Sequence, residues 1–188
     1  MAGLARNARS KRVGQGLLRA LAATLLVGLL AACGTSLDAP VGEGDELVET
    51  ASGVEISETL NELLELVNDV RSEGRQCGTE SYDPVAPVTV DATLLLVAEL
   101  HSNDQFQAKE MSHRGSDGSW PSERVRAAGY GWRTVGENVA WGYATAEQVL
   151  EGWLESPGHC GTIMNGDFTE VGLAVEGSYW TQVFAAPM

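Results

Sequence analysis

The apolar run Leu21–Ala32, LAATLLVGLLAA, divides the chain before any fold can be considered. A helix that crosses a bilayer needs about 20 apolar residues, and this run stops well short of that. It follows a stretch carrying Arg6, Arg9, Lys11, Arg12 and Arg19 with no acidic residue, and it ends in small side chains. A basic segment, a short apolar segment and a small-residue end describe a secretory signal. Residues 1–32 are therefore excluded from the folded domain, and the remainder is expected outside the cytoplasm.

The run closes in Leu30-Ala31-Ala32-Cys33. This resembles the lipobox of bacterial lipoproteins. The resemblance implies that Cys33 is acylated, becomes the mature N-terminus and anchors the chain to the outer face of a membrane. One acyl chain anchors weakly, and two or more hold firmly. Removing residues 1–32 takes away five of the 12 Lys+Arg and none of the 26 Asp+Glu, leaving a formal charge of 7 − 26 = −19. So negative a surface repels nucleic acid and anionic lipid, which excludes a nucleic-acid partner. Residues 33–56 follow as a tether. They hold no aromatic residue, and five acidic ones precede Val54. Such a composition lacks the apolar side chains a core requires.

All five Trp and all three Phe fall in residues 57–188, a length that suits one domain. Leu60, Leu63, Leu64, Val67 and Val70 form one apolar stripe and predict a helix from Glu58 to Gly74, with Thr59 and Glu62 as a capping box. Asp91 opens a second helix with Leu94, Leu95, Ala98 and His101 on one side. Pro121 starts a third and Gly129 ends it. Thr145 and Gln148 cap a fourth, which passes Trp153 and stops at Pro157. Glu137–Trp141 predicts a short strand. Glu170–Glu176 and Tyr179–Ala185 predict a hairpin across Gly177-Ser178. Helices first and strands last give an α+β domain with helices packed on a small antiparallel sheet.

With Cys33 assigned to lipid, Cys77 and Cys160 remain. In an oxidising compartment they read as one disulfide. The histidines are His101, His113 and His159. His101 lies on the apolar stripe of its helix and reads as a hydrogen-bonded core residue. His113 and His159 sit in the Gly-flanked segments MSHRG and SPGHCG, which read as loops able to carry function. Glu137 opens an apolar strand, where a carboxylate needs a partner. No local metal motif of the HExxH kind is present.

The ordered segments LVNDVRSEGRQCG, AELHSNDQ, MSHRGSDG, SERVRAAGY, VGENVAWG, VLEGWLESPGHC and YWTQVFA resemble the bacterial branch of the CAP superfamily, over about residues 57–188. That superfamily groups cysteine-rich secretory proteins, antigen 5 and pathogenesis-related class 1 proteins. The resemblance implies an α-β-α sandwich whose cleft is lined by two His and two acidic residues, with a divalent metal bound in several members. His113 and Glu137 match two cleft positions. The second acidic position of eukaryotic members falls near Ser156 and the second His at Tyr179, and neither is retained. His159 of the SPGH element is the natural replacement. Thr162 and Gly166 also depart from the usual pattern.

The resemblance thus implies a cleft of His113, Glu137, His159, Ser156 and Tyr179. His113 and His159 are the expected ligands of a divalent metal, with Glu137 as an added ligand or as the group that orients His113. Zinc suits such N and O donors best. The favoured function is non-catalytic binding of a lipid, peptide or cell-wall ligand. The alternatives are a His/Glu-dependent or metal-dependent hydrolase of peptides or esters, and a structural domain that binds another protein. Ser156 with His159 invites a nucleophilic reading, but no GxSxG elbow accompanies it.

Overall fold

The computed structural model describes residues 45–188. The signal run, Cys33 and the first part of the tether lie outside those residues. In chain order the elements are β1 (Leu47–Glu49), β2 (Glu55–Ser57), α1 (Glu58–Glu73), β3 (Arg75–Cys77), β4 (Glu80–Tyr82) and β5 (Thr89–Val90). Then follow α2 (Ala92–Ala108), α3 (Pro121–Ala127), β6 (Trp132–Trp141), α4 (Ala146–Glu155), α5 (Pro157–Ile163), β7 (Glu170–Glu176) and β8 (Tyr179–Pro187).

A four-stranded sheet in the order β5-β7-β8-β6 forms the middle layer. Alternation along β7 and β8 decides what covers each face. Val171, Leu173, Trp180 and Phe184 point to one side, into a core with Leu63 and Val67 of α1, Val149 and Trp153 of α4, and Ile163 of α5. Ala174, Val183 and Ala185 point to the other, against Leu94, Val97 and Ala98 of α2 and Val125 of α3. The result is the expected α-β-α sandwich. Gly172 sets the spacing of the second layer: a Cβ there would lie 2.0 Å from the Leu94 carbonyl, so α2 rests its backbone directly on β7.

Several local expectations change. Residues 45–56 are not tether: β1 and β2 pair antiparallel, Leu47 opposite Ser57, and Ile56 is buried in the core. The apolar residues of that hairpin are few, but Ile56 finds its partners in α1 and the main core, which composition does not reveal. The cap of α1 is Ser57, whose Oγ accepts from Leu60 N–H, in place of the Thr59 box. The sheet is antiparallel except for β5, which pairs parallel with β7. β6 starts at Trp132, five residues earlier than the patterned segment, because its first half pairs with the end of β8. Pro157 stops α4 and also opens α5, so His159 lies in a helical first turn and not in a loop. The β7–β8 hairpin and the Thr145 cap of α4 form as expected.

Two devices hold the first helical layer. Cys77 on β3 and Cys160 on α5 form the disulfide, with Cα atoms 5.6 Å apart. Arg71 of α1 is fully buried, and among the described residues its guanidinium has only carbonyls as partners. It donates from Nε to Ala86 O, from Nη1 to Ile163 O and Asn165 O, and from Nη2 to Phe168 O. One guanidinium thereby ties α1 to the segments on either side of it.

Candidate functional site

The site forms on the edge strand β6, where both helical layers can reach round the sheet. Glu137 and Asn138 are neighbours on it and so face opposite layers. Glu137 pairs in register with Val183, on the α2–α3 side. Its side chain is 1% exposed. A buried carboxylate must be compensated. Oε1 accepts from Nδ1 of His113 at 2.9 Å, and Oε2 accepts from Nη2 of Arg124 on α3 at 2.6 Å. Nε2 of His101 stands 3.8 Å from Oε1.

His113 occupies the loop between α2 and α3, and that loop is gripped along its backbone. His101 and Gln105 share one face of α2, four residues apart. His101 Nε2 donates to Ser112 O at 2.8 Å, and Gln105 Oε1 accepts from Ser112 N at 3.2 Å. Arg124 Nη1 donates to His113 O at 3.1 Å and to Ser119 O at 3.0 Å. Thus the peptide groups on both sides of His113 and its own Nδ1 are fixed. The ring remains 43% exposed, and Nε2 has no hydrogen-bond partner among the described residues.

His159 comes from the other layer. Asn138 Nδ2 donates to His159 O at 3.3 Å and to Gln182 Oε1 at 3.2 Å, which ties the first turn of α5 to β6 and β8. Burial holds the His159 ring below its ordinary pKa, and the nearby His113 pushes it in the same direction. His159 is therefore neutral near pH 7, with a lone pair available. His101 is also held low, chiefly by burial, while the Glu137 carboxylate opposes that shift.

The expected cleft residues separate into two groups. His113, Glu137 and His159 gather at β6. Tyr179 does not join them. It pairs with Trp141, four residues beyond Glu137 or about 13 Å along the strand. There it packs edge-on against Phe106 and beside Trp141. Ser156 is the turn residue between α4 and α5. Its hydroxyl makes no hydrogen bond to His159 among the described residues, so no Ser–His nucleophile pair is assembled. Arg124 and Gln105 are working parts of the site that pattern reading passes over. His101 is both what was expected, a bonded core residue, and a support of the site. Its four-residue spacing from Gln105 on the buried face of α2 was the available signal.

A three-ligand metal centre of His113, His159 and Glu137 does not fit this geometry. Both Glu137 oxygens are engaged by His113 and Arg124, and no three His, Cys, Asp or Glu side chains converge on one ion position among the described residues. The imidazoles left as donors are His113 Nε2 and the ring of His159, close enough that the charge of His113 lowers the His159 pKa. Glu137 then acts behind His113, fixing its tautomer and ring orientation as outer carboxylates do for metal-bound histidines.

Residues 64–184 match the cysteine-rich secretory protein family, CAP, and the chain belongs to it. Two Bacillus subtilis proteins are relatives. The uncharacterized protein YkwD is 28% identical over 152 residues, which is 80% of this chain and 56% of YkwD. The uncharacterized membrane protein YlbC is 28% identical over 123 residues, 65% of this chain and 33% of YlbC. The chain thus spans little more than half of one relative and a third of the other. Among solved structures, an extracellular protein containing a SCP domain from Bacillus anthracis is similar, with a TM-score of 0.60 and 26% identity. That match covers 66% of this chain and 39% of the other. An outer surface protein of Borrelia burgdorferi shares the fold, with a TM-score of 0.61 and 17% identity, over 77% of this chain and 100% of its own. Among the described residues no helix is long and apolar enough to cross a membrane.

Proposed function

We propose that this chain is an exported, lipid-anchored binding domain without catalytic activity, and that its cleft holds a divalent metal through His113 and His159. The observation that carries the proposal is the 2.9 Å bond from His113 Nδ1 to a buried Glu137, which leaves Nε2 on the exposed side of a fixed ring. The acyl chains on Cys33 would hold the domain at the outer face of a membrane, with the residues before Asp45 as its leash. The B. anthracis neighbour, described as extracellular, and the membrane protein YlbC support that placement.

Zinc suits two neutral imidazoles with water in the remaining positions. When bound, it would supply positive charge to oxygen groups of a surface ligand such as a lipid headgroup, a peptide carboxylate or a cell-wall glycan. The protein's own part is orientation. Arg124 neutralises Glu137, Glu137 aims His113, and Asn138 ties the first turn of α5, which carries His159, to β6. Among the described residues Ser156 makes no hydrogen bond to His159, which weighs against a serine nucleophile alone.

Calorimetric titration of Zn²⁺ into the full chain and into His113→Ala and His159→Ala tests this. Loss of either imidazole should weaken binding at least about tenfold, the lower end of the effect of perturbing a metal's supporting residues. Equal heats in wild type and both variants would remove the metal assignment.

A further inference from the structure

α2 is apolar on more sides than the sandwich requires. Leu94, Val97 and Ala98 form its buried face. Leu96 and Leu100, one turn apart, are 48% and 59% exposed. A helix that is apolar all round is normally covered all round. Leu47 of β1 is 63% exposed as well. Leu47 and Leu100 line one groove of about 640 Å³, bounded by the β1–β2 hairpin, α2 and the end of β7. Leu95 and Val175, which pack against the main core, continue its apolar lining.

The same groove is charged with one sign. Asp45, Glu55, Glu99 and Glu176 line it, and among the described residues no Lys or Arg does. The four carboxylates come from separate pieces of chain: the entry to β1, then β2, α2 and the end of β7. None has a salt-bridge partner among the described residues. Asp45 accepts from Thr59 N–H, which adds no positive charge. Between Arg19 and Arg71 the sequence has no Lys or Arg, so the leash before Asp45 cannot neutralise them. These charges select the occupant. Anionic lipid is repelled, and so is a second copy of this chain, whose full sequence carries a formal charge of −14. A small amphiphile with one cationic head compensates one carboxylate and leaves the others. A protein segment with several Lys or Arg around leucine-sized side chains compensates several and covers the leucines.

We propose that this groove docks a basic amphipathic segment of another protein, with its apolar side chains on Leu47 and Leu100 and its Lys or Arg side chains among Glu55, Glu99 and Glu176. The surface shares no residue with the His113, Glu137 and His159 site and does not depend on a metal there.

The probe is a fluorescent peptide of Leu-Lys-Lys-Leu repeats, titrated with the full chain and followed by anisotropy. It should bind saturably, and less tightly as salt is added. The same peptide with Ser for every Leu should bind at least about tenfold more weakly, because charge alone does not cover the leucines. Glu99→Lys combined with Glu176→Lys should weaken binding at least about tenfold by setting like charges against the peptide. Glu151→Lys combined with Glu155→Lys makes the same change in net charge at exposed positions of α4 and should leave binding within about twofold. Leu100→Ser, also at an exposed position, should weaken it about fivefold or more with the circular dichroism unchanged. No saturable binding, equal binding of the Ser peptide, equal loss in the α4 variant or no loss in Leu100→Ser would each overturn the proposal. So would displacement of the peptide by dodecylammonium as efficiently as by unlabelled peptide, since one cationic head would then suffice. The zinc titration is independent, so failure of one leaves the other standing.

Discussion

Arg124→Met tests whether the site is a balanced charge array. The substitution keeps an unbranched apolar stem and removes the guanidinium. Glu137, whose side chain is 1% exposed, then loses its 2.6 Å charge-assisted bond, and the carbonyls of His113 and Ser119 lose their donor. Removing one partner of a buried pair costs about 3–5 kcal/mol, mostly as the penalty of leaving the other charge uncompensated. Arg124→Met should therefore lower unfolding stability by about that amount. Glu137→Gln should cost somewhat less, about 2 kcal/mol, because Arg124 keeps its two carbonyls and is partly exposed. The double variant leaves no unpaired charge. It should be clearly more stable than the sum of the two losses predicts, with a coupling of about 2 kcal/mol. Urea unfolding at pH 7 of all four proteins, followed by tryptophan fluorescence, measures the cycle. Losses that add within about 0.5 kcal/mol would refute the reasoning, because residues in one network do not behave independently.

Three further outcomes follow from the same structure. His101 and His159 both have folded pKa values depressed below the ordinary imidazole value, so the unfolded chain binds more protons. Their contribution is complete above about pH 6.5 and is lost as pH falls through the folded values. Denaturation at a series of pH values should show stability falling on acidification below that point, with a flatter decline in His159→Asn. Reducing the Cys77–Cys160 bridge, which spans 83 residues, should cost about 2–5 kcal/mol, read as a lower urea midpoint with reductant than without. Arg71→Lys keeps the charge but cannot fan out to four carbonyls; it should destabilise by about 3 kcal/mol in the same assay, and a loss below about 1 kcal/mol would mean the carbonyls find other donors.

The legible parts of this protein were those fixed by short-range rules. The stripe from Leu60 to Val70, the Asp91 and Thr145 caps and the Gly177 turn act within a few residues, and each forms where the pattern places it. Illegible parts depended on distant partners. β1 and β2 are too short to announce themselves, and Ile56 is ordered by the core it enters. The dual role of Pro157, ending one helix and opening another, moved His159 from a supposed loop to the first turn of α5.

The sequence by itself determined the apolar run before Cys33, the sandwich of helices on a sheet, the Cys77–Cys160 pair and the presence of His113 and Glu137 as groups with chemistry. Only the tertiary structure decided what those groups do for each other. From the sequence Glu137 is either an added metal ligand or the orienter of His113, and its two oxygens are taken by His113 and Arg124. Tyr179 was expected in the cleft, and it belongs to an aromatic cluster with Phe106 and Trp141. The reason is physical. A carboxylate's role is set by which donors reach its two oxygens, and here they come from a loop and a helix that the sheet edge brings together. Residue spacing records the elements, whereas the direction of each side chain at β6 is settled by the two helical layers that close over it.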